Sequence, residues 1–385
     1  MLNLNNIRLI APYSIKGIKS AGLGELQSYI KNKRILGFDT ETTSLDVFTN
    51  KIVMMQIGDV NRQFIIDTRY VNPKILIEWV QDKKIVGHYL KFDYKQVKYH
   101  YNWRLLNLFD TMSAEKILNN NKLEEAEEGF YTLASTATRH LGVEFSPLIK
   151  GKGKGGKKKV IQEQGSLFPE YTFTKSVRDE FSSIGDQPFT LQQIVYGAND
   201  VWMPLLIRRK QLRLIRKESQ GEALKLENRY TPVLAETELY GIRVNSDKWM
   251  LNYEKYQDLE DKAKEGLKEI QDINWNSSRQ VVKVFKELGI PTEIVDKDKS
   301  YGDNLFYKDS VQELHISKYS KKFPLIKQYL SYKNLSKLTS SYGEKFLSNI
   351  HQKTDRIHSN FIQMITTGRQ ASSSPNLRLM GVLFW

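Results

Sequence analysis

The segment Arg34-Ile35-Leu36-Gly37-Phe38-Asp39-Thr40-Glu41-Thr42 constrains this chain more than any other. An apolar run that ends in acids reads as a buried strand reaching a sheet edge. Strand side chains alternate with period two, so Asp39 and Glu41 point to the same face. At ~4 Å and an effective dielectric of ~20, such a pair repels by ~4 kcal/mol. A cation relieves that repulsion, and hard oxygen ligands suit Mg²⁺ or Mn²⁺. A solvated strand end in a turn has the same residues, so the pair alone leaves both readings open.

The rest of the first half alternates element types. Gly24–Ile30 reads as a short helix after a lead-in strand. Ile52–Ile57 and Phe64–Asp67 are apolar runs separated by the turn-rich Gly58-Asp59-Val60-Asn61, which predicts an antiparallel meander with the first strand. A helix is expected at Pro73–Gln81, a strand at Lys84–Gly87, a helix at Lys91–Tyr101 and a strand at Leu105–Phe109. A meander followed by alternating helix and strand argues a mixed α/β sheet. Asp110 fits the cap of a helix opening at Thr111 better than an outer acid of a site. His88 is expected to be a structural hydrogen-bonding group. Thr190 and Gln193 have capping-box spacing, and in the helix they open Tyr196 and Asp200 share a face at i, i+4. Pro204 is expected to kink that helix or end its first segment.

Asp39-x-Glu41, then Lys91-Phe92-Asp93, then Tyr196-x-x-x-Asp200 resemble, in order, the three motifs of the DEDD 3′–5′ exonucleases. The Tyr in the third motif resembles the DEDDy branch. The resemblance implies a ribonuclease H-like fold and two divalent ions, Mg²⁺ or Mn²⁺, held by Asp39, Glu41, Asp93 and Asp200. It implies that Tyr196 orients the attacking water; a free Tyr, with a pKa of ~10, suits orientation better than full general-base duty. It also implies DNA contacts from Leu45, as an apolar wedge, and from Lys91. The family usually has Asn where Tyr89 stands here.

The chain has 385 residues, room for two or three domains. Forty per cent hydrophobic residues can bury a core. The lack of cysteine excludes disulfides, thiolate zinc sites and a Cys nucleophile. No signal-peptide pattern opens the sequence and no run approaches ~18 apolar residues, so no membrane partner is expected. A net charge of +14 points to a polyanion such as nucleic acid. The insertion at about 145–190 departs from the exonuclease pattern. Its Lys150–Lys159 run, basic and glycine-rich, reads as mobile chain, either a clamp on phosphates or a solvated loop.

Beyond residue 222 long charged helices are expected, and a second resemblance enters. Glu238-Leu239-Tyr240-Gly241-Ile242-Arg243-Val244-Asn245, Asn274-Trp275-Asn276-Ser277-Ser278-Arg279-Gln280, the thumb-like Tyr332–Leu338, and Thr367-Gly368-Arg369 with Ser372-Ser373-Ser374-Pro375-Asn376-Leu377 are similar to family A DNA polymerases. That implies duplex DNA contacts from Arg369, Ser372, Ser373 and Asn376. Arg378 stands where the family usually has Gln, and the later palm and fingers motifs do not follow. The expected organisation is an exonuclease domain at 1–222 and a truncated thumb and palm start at 223–385. The expected function is proofreading by 3′–5′ DNA hydrolysis in the cytoplasm, the host's if the source is a phage. Polymerisation by this chain alone is not expected, and a second chain with palm and fingers is an expected partner. An RNA-trimming exonuclease and a non-catalytic DNA-binding subunit are the alternatives.

Overall fold

A computed structural model describes residues 2–119, 129–143, 148–152, 158–161, 177–296, 299, 304–365 and 367–377. The chain divides into two compact units, Met1–Gly241 with His358–Trp385, and Ile242–Ile357.

The first unit is built on strands β1 (Ile7–Ile10), β2 (Lys19–Ser20), β3 (Ile35–Thr42), β4 (Ile52–Gly58), β5 (Gln63–Asp67), β6 (Lys84–Gly87) and β7 (Leu108–Asp110). They form one mixed sheet in the order β2-β1-β5-β4-β3-β6-β7. The expected meander is β3-β4-β5, antiparallel throughout, and β6 and β7 add to it in parallel. β1 joins β5 in parallel at the other side. β7 starts at Leu108 and not at Leu105, because its ladder begins where Leu108 meets Ile85.

Helices α1 (Leu23–Ile30), α2 (Leu76–Val80), α3 (Leu90–Tyr101), α4 (Thr111–Leu118), α5 (Leu133–Leu141), α6 (Val177–Glu180), α7 (Leu191–Lys217) and α8 (Gly221–Tyr240) complete its main framework. Period-two alternation sorts the sheet into two faces. Leu36, Phe38, Ile57 and Phe64 pack with Leu26, Leu76, Tyr94 and Val97 from α1, α2 and α3. Met54 and Ile65, on the other face, pack with Ile194, Val195 and Ala198 of α7. Each large aliphatic group so buried contributes ~1.5–3 kcal/mol.

α7 opens with the expected capping box between Thr190 and Gln193. Pro204 does not end it; the helix runs on to Lys217. An interior proline costs ~3 kcal/mol. Val201, Met203, Leu205 and Ile207 around it are all buried, and their burial outweighs that cost.

The glycine-rich insertion also departs from expectation. β8 (Leu148–Lys152) and β9 (Lys158–Ile161) pair antiparallel, so a hairpin stands where structureless chain was expected. Leu148-Ile149 and Val160-Ile161 supply strand-forming residues on both sides of the glycines, a pattern that favours a hairpin. Residues 153–157 and 162–176 lie outside the described residues, as do Arg378 and the Phe384-Trp385 end.

Glu115 of α4 is a buried carboxylate held from three directions. Arg139 Nη2 donates at 3.0 Å, His140 Nε2 lies 2.6 Å away, and Gln211 Nε2 of α7 donates at 2.8 Å. Burial pushes its carboxyl up, but the hydrogen bonds from His140 and Gln211 and the charges of His140 and Arg139 outweigh burial and hold it down to about 2. A depressed carboxylate stabilises the fold above its unfolded value and loses that contribution as pH falls towards its folded value. Urea midpoints of the parent are therefore expected to fall more steeply than those of Glu115→Gln between about pH 4.5 and pH 2. Parallel pH curves would show that Glu115 is not held this way.

The second unit contains α9 (Ser246–Lys268), α10 (Ser278–Glu287), β10 (Glu293–Val295), β11 (Tyr307–Asp309), α11 (Glu313–Ile316), α12 (Pro324–Tyr342), α13 (Glu344–Leu347), β12 (Ile350–His351) and β13 (Arg356–Ile357). Leu267, Val281, Phe285, Ile326 and Tyr329 form its core. Two stretches singled out in the sequence meet here: Asn276 Nδ2 donates to Tyr332 Oη at 2.8 Å, and Lys333 Nζ donates to Asn276 Oδ1 at 3.0 Å. The chain then returns to the first unit as β14 (Asn360–Ile362) and β15 (Ala371–Ser373), an antiparallel pair. Among the described residues no helix is long and apolar enough to cross a membrane.

Candidate metal centre

Asp39 and Glu41 project from the face of β3 that lies opposite Leu36 and Phe38. Gly37 precedes them on that face, and α7 comes so close that a Cβ on Gly37 would stand 2.5 Å from the Val201 carbonyl oxygen. Gly197 does the same from the helix side: a Cβ there would lie 2.8 Å from Gln56 Nε2 and 2.9 Å from Met54 Sδ. Gln56 and Met54 are the cross-strand partners of Asp39 and Glu41. Two glycines therefore seat the helix beside the acids. Asp39, Glu41 and Asp200 each offer an oxygen, and these atoms all lie within 4.8 Å of one another. Glu41 and Asp200 are buried and Asp39 is half-buried.

Asp93 stands at the first turn of α3. It is 1% exposed, and its Oδ1 accepts from Thr40 Oγ1 at 2.7 Å. Burial pushes the Asp93 carboxyl well above the usual carboxylate range, and the charge of Asp39 pushes the same way. Asp93 therefore feels the cluster without belonging to the close group of three. A concentrated set of hard oxygen donors in a partly dry site fits divalent ions, whose charge would offset this repulsion. The unpartnered, buried amide of Gln56, cross-strand from Asp39, adds polar capacity on the same face.

Tyr196, one turn before Asp200 on α7, is half-buried against the α7 core. Leu45 is 71% exposed in the loop after β3. That loop is tied to α3 through Asn50, which donates to Gln96 Oε1 at 3.1 Å and meets His100 Nε2 at 2.9 Å. Phe48, in the same loop, lies under the His358 ring at 4.2 Å.

Lys91 is corrected from a DNA contact to an internal group. It is 3% exposed, and its ammonium donates to Glu238 Oε1, the Phe361 carbonyl and Asn360 Oδ1, which uses all three protons. Burial pushes that ammonium down, and Glu238 opposes the shift. Asp110 is a cap, as expected, and a double one: it accepts from Met112 N of α4 and from Tyr89 N and Leu90 N at the start of α3. Tyr89 takes a left-handed backbone there, φ 65°, a conformation that Asn tolerates better than Tyr. His88 is structural: Nε2 donates to the Tyr131 carbonyl and Nδ1 lies 2.8 Å from Thr111 Oγ1.

The remaining predicted residues gather around β15. Ser372 Oγ donates to Asn376 Oδ1 at 3.4 Å, Asn360 Nδ2 donates to Ser373 Oγ at 3.3 Å, and Arg369 is exposed. Sequence reasoning missed Thr40, Gln56, Gly37 and Gly197 beside the centre, and Glu238 as the partner of Lys91. Gly37 carried a signal, since a glycine inside a strand marks a close approach. Glu238 carried none, because its partner Lys91 is distant in sequence.

A family model described as 3′–5′ exonuclease matches residues 18–215, just over half of the chain. This chain belongs to the 3′–5′ exonuclease family. A second model, DNA polymerase family A, matches residues 250–382. DNA polymerase I of Borreliella burgdorferi is 24% identical over 372 residues, 92% of this chain and 36% of that protein. DNA polymerase I of Pseudomonas aeruginosa is 24% identical over 94% of this chain and 38% of its own length. A shorter stretch of 109 residues, 28% of this chain and 11% of the relative, is 38% identical to DNA polymerase I of Helicobacter pylori. The exonuclease family chain thus spans a little over a third of the length of the first two relatives. The POL domain of Pol1 from M. smegmatis, solved with DNA primer-template and dNTP, has a similar fold, with a TM-score of 0.62 and 18% identity over 96% of this chain and 55% of that one.

Proposed function

We infer that this exonuclease family chain removes nucleotides from the 3′ end of DNA by metal-dependent hydrolysis, as the proofreading part of a family A DNA polymerase. The observation that carries this reading is the convergence of Asp39 and Glu41 from β3 with Asp200 from α7, within the matched 18–215 segment. Two divalent ions, Mg²⁺ or Mn²⁺, would be held there by Asp39, Glu41 and Asp200 with Asp93 close by. When bound they supply Lewis-acid stabilisation of the attacking and leaving oxygens. The protein's own groups do the rest. Tyr196 positions the attacking water, Thr40 holds Asp93 in place, and exposed Leu45 presents an apolar surface to the terminal bases.

On this reading residues 1–222 carry the exonuclease chemistry and 223–385 the polymerase-side region. Arg369, Ser372, Ser373 and Asn376 then lie along the primer-template backbone, where Arg can donate two bonds to a phosphate. The working place on this reading is the cytoplasm. The match to DNA polymerase family A at 250–382 and the DNA-bound structural relative favour DNA over an RNA-trimming role.

A 3′-labelled single-stranded DNA is expected to shorten from its labelled end with Mg²⁺ or Mn²⁺ and to stay intact in EDTA. Digestion that begins at a 5′ end, or that persists in EDTA, would contradict the reading.

A further inference from the structure

Beyond Asp200, α7 carries Arg208, Arg209, Lys210, Arg213, Arg216 and Lys217, with no acid before Glu218. At 3.6 residues per turn, Arg209, Arg213 and Arg216 fall on one stripe ~60° wide, with Lys210 and Lys217 at its side. All five are exposed. Arg208 turns towards the sheet, its guanidinium 5.1 Å from the Phe109 ring centre and its Nε buried without a hydrogen-bond partner. Burial, then the charges of Arg209 and Arg216, push Arg208 down. Burial, then Arg208, does the same to Lys84 at the start of β6. Among the described residues no carboxylate pairs with any of these cations.

Two simpler explanations fall short. The helix dipole favours cations in the last turn, which accounts for Arg216 and Lys217 but not for Arg208, Arg209 and Lys210 two turns earlier. A merely solvated face mixes signs, as α9 does with Lys255, Asp258, Glu260, Asp261, Lys262, Lys264 and Glu265. The α7 stripe is of one sign.

The stripe also lies away from the metal centre. Along α7, Gly197 sits over Gln56 and Met54, beside the acids; Val201 and Leu205 then sit over Gly37. Arg208 comes next, at Phe109 and near Lys84, towards the starts of the parallel strands. At 1.5 Å per residue, Arg209 and Arg216 stand ~14 and ~24 Å along the axis from Asp200.

We propose that Arg209, Arg213 and Arg216 form a second DNA-binding surface that holds the phosphate backbone of a duplex away from the 3′ end being cut. The stripe spans ~10 Å of helix axis, the rise of about three phosphates on one strand at ~3.4 Å each. Arginine occupies all three positions, and its planar fork matches phosphate oxygens in pairs. Such recognition ignores base sequence, as a surface that retains DNA between cuts requires.

The test uses the full chain in EDTA and a fluorescent, covalently closed dumbbell duplex, which offers no 3′ end. Binding is read by anisotropy between about 50 and 200 mM salt. The variant R209Q/R213Q/R216Q is expected to bind more weakly and to flatten the log K against log salt slope by about 2–3, at ~0.9 for each phosphate that is no longer neutralised. R209K/R213K/R216K, which keeps the charge, is expected to recover most of the slope. Melting temperature and digestion of a short 3′-labelled strand should match the parent, because the three side chains are exposed and remote from the acids. An unchanged slope in the glutamine variant overturns the proposal. So does a variant that loses binding to phosphatidylserine vesicles but not to the dumbbell, which would mark a membrane surface instead. Because the dumbbell assay needs neither metal nor cleavage, its outcome is independent of the exonuclease reading.

Discussion

Asp39→Ala is expected to remove nearly all 3′–5′ digestion at saturating Mg²⁺, far beyond the ~10–100-fold loss that follows removal of an outer partner of a metal ligand. Asp39 supplies one of the three oxygens that converge within 4.8 Å, and it contributes to the field that pushes Asp93 up. Its loss leaves two carboxylates where three stood, so both the affinity for cations and their placement suffer. Asp39→Asn keeps the shape and loses the charge, and is expected to behave almost as badly. Thr40→Val makes the contrast. It removes the hydroxyl that donates to Asp93 at 2.7 Å and leaves every carboxylate in place, so a loss inside the ~10–100-fold range is expected. Single-turnover rates on a 3′-labelled oligonucleotide, with Mn²⁺ binding followed in parallel, separate these cases. Asp39→Ala digesting within tenfold of the parent would show that the chemistry lies elsewhere.

Glu238→Ala is expected to give the largest stability loss, about 3–5 kcal/mol, the usual effect of removing one partner from a buried ion pair. The Glu238 side chain is 3% exposed and faces Lys91 and Lys95, with Lys95 Nζ 2.6 Å away. It also accepts from Phe361 N at 2.7 Å. Alanine would strand the buried Lys91 ammonium and leave the Phe361 N–H without its acceptor. Glu238→Gln keeps an acceptor but turns an amide N–H₂ towards ammonium groups, so it should recover part of the loss at most. Replacing both ends with apolar groups, as in K91M/E238L, is expected to be milder than Glu238→Ala, because no buried charge is then left at position 91. Urea unfolding of the full chain measures all four proteins. A loss below ~1 kcal/mol for Glu238→Ala would mean that the pair behaves like a solvated surface bridge. Because α3 carries both Lys91 and Asp93, the same variant should also lower affinity for Mn²⁺.

Much of the architecture was legible in the residues. Strand alternation put Asp39 and Glu41 on one face, and helical spacing put Tyr196 and Asp200 together. The meander, the Thr190 cap and the Asp110 cap were equally local. Each of these depends on backbone geometry within a few residues, and sequence records such geometry directly.

Apart from the β8–β9 hairpin, whose strands are neighbours in sequence, the departures turn on packing by segments far along the chain. Lys91 stood as a DNA contact on the family resemblance, and its counterion Glu238 lies 147 residues away, out of reach of any local pattern. Pro204 reads in the sequence as a kink or an end of its helix, because propensity counts the missing hydrogen bond and not the burial on either side; the helix runs on to Lys217. β1 joined β5 at the sheet's far side, a pairing no local pattern encodes. The resemblance to the exonuclease motifs named Asp39, Glu41, Asp93 and Asp200 as a set. That three of them come within 4.8 Å was decided by the seating of α7, with Val201 over Gly37 and Gly197 over Gln56 and Met54, while α3 brings Asp93 to Thr40 on the other face of the strand. Local periodicity chooses the face a side chain occupies. Only close packing between distant segments chooses what that face meets.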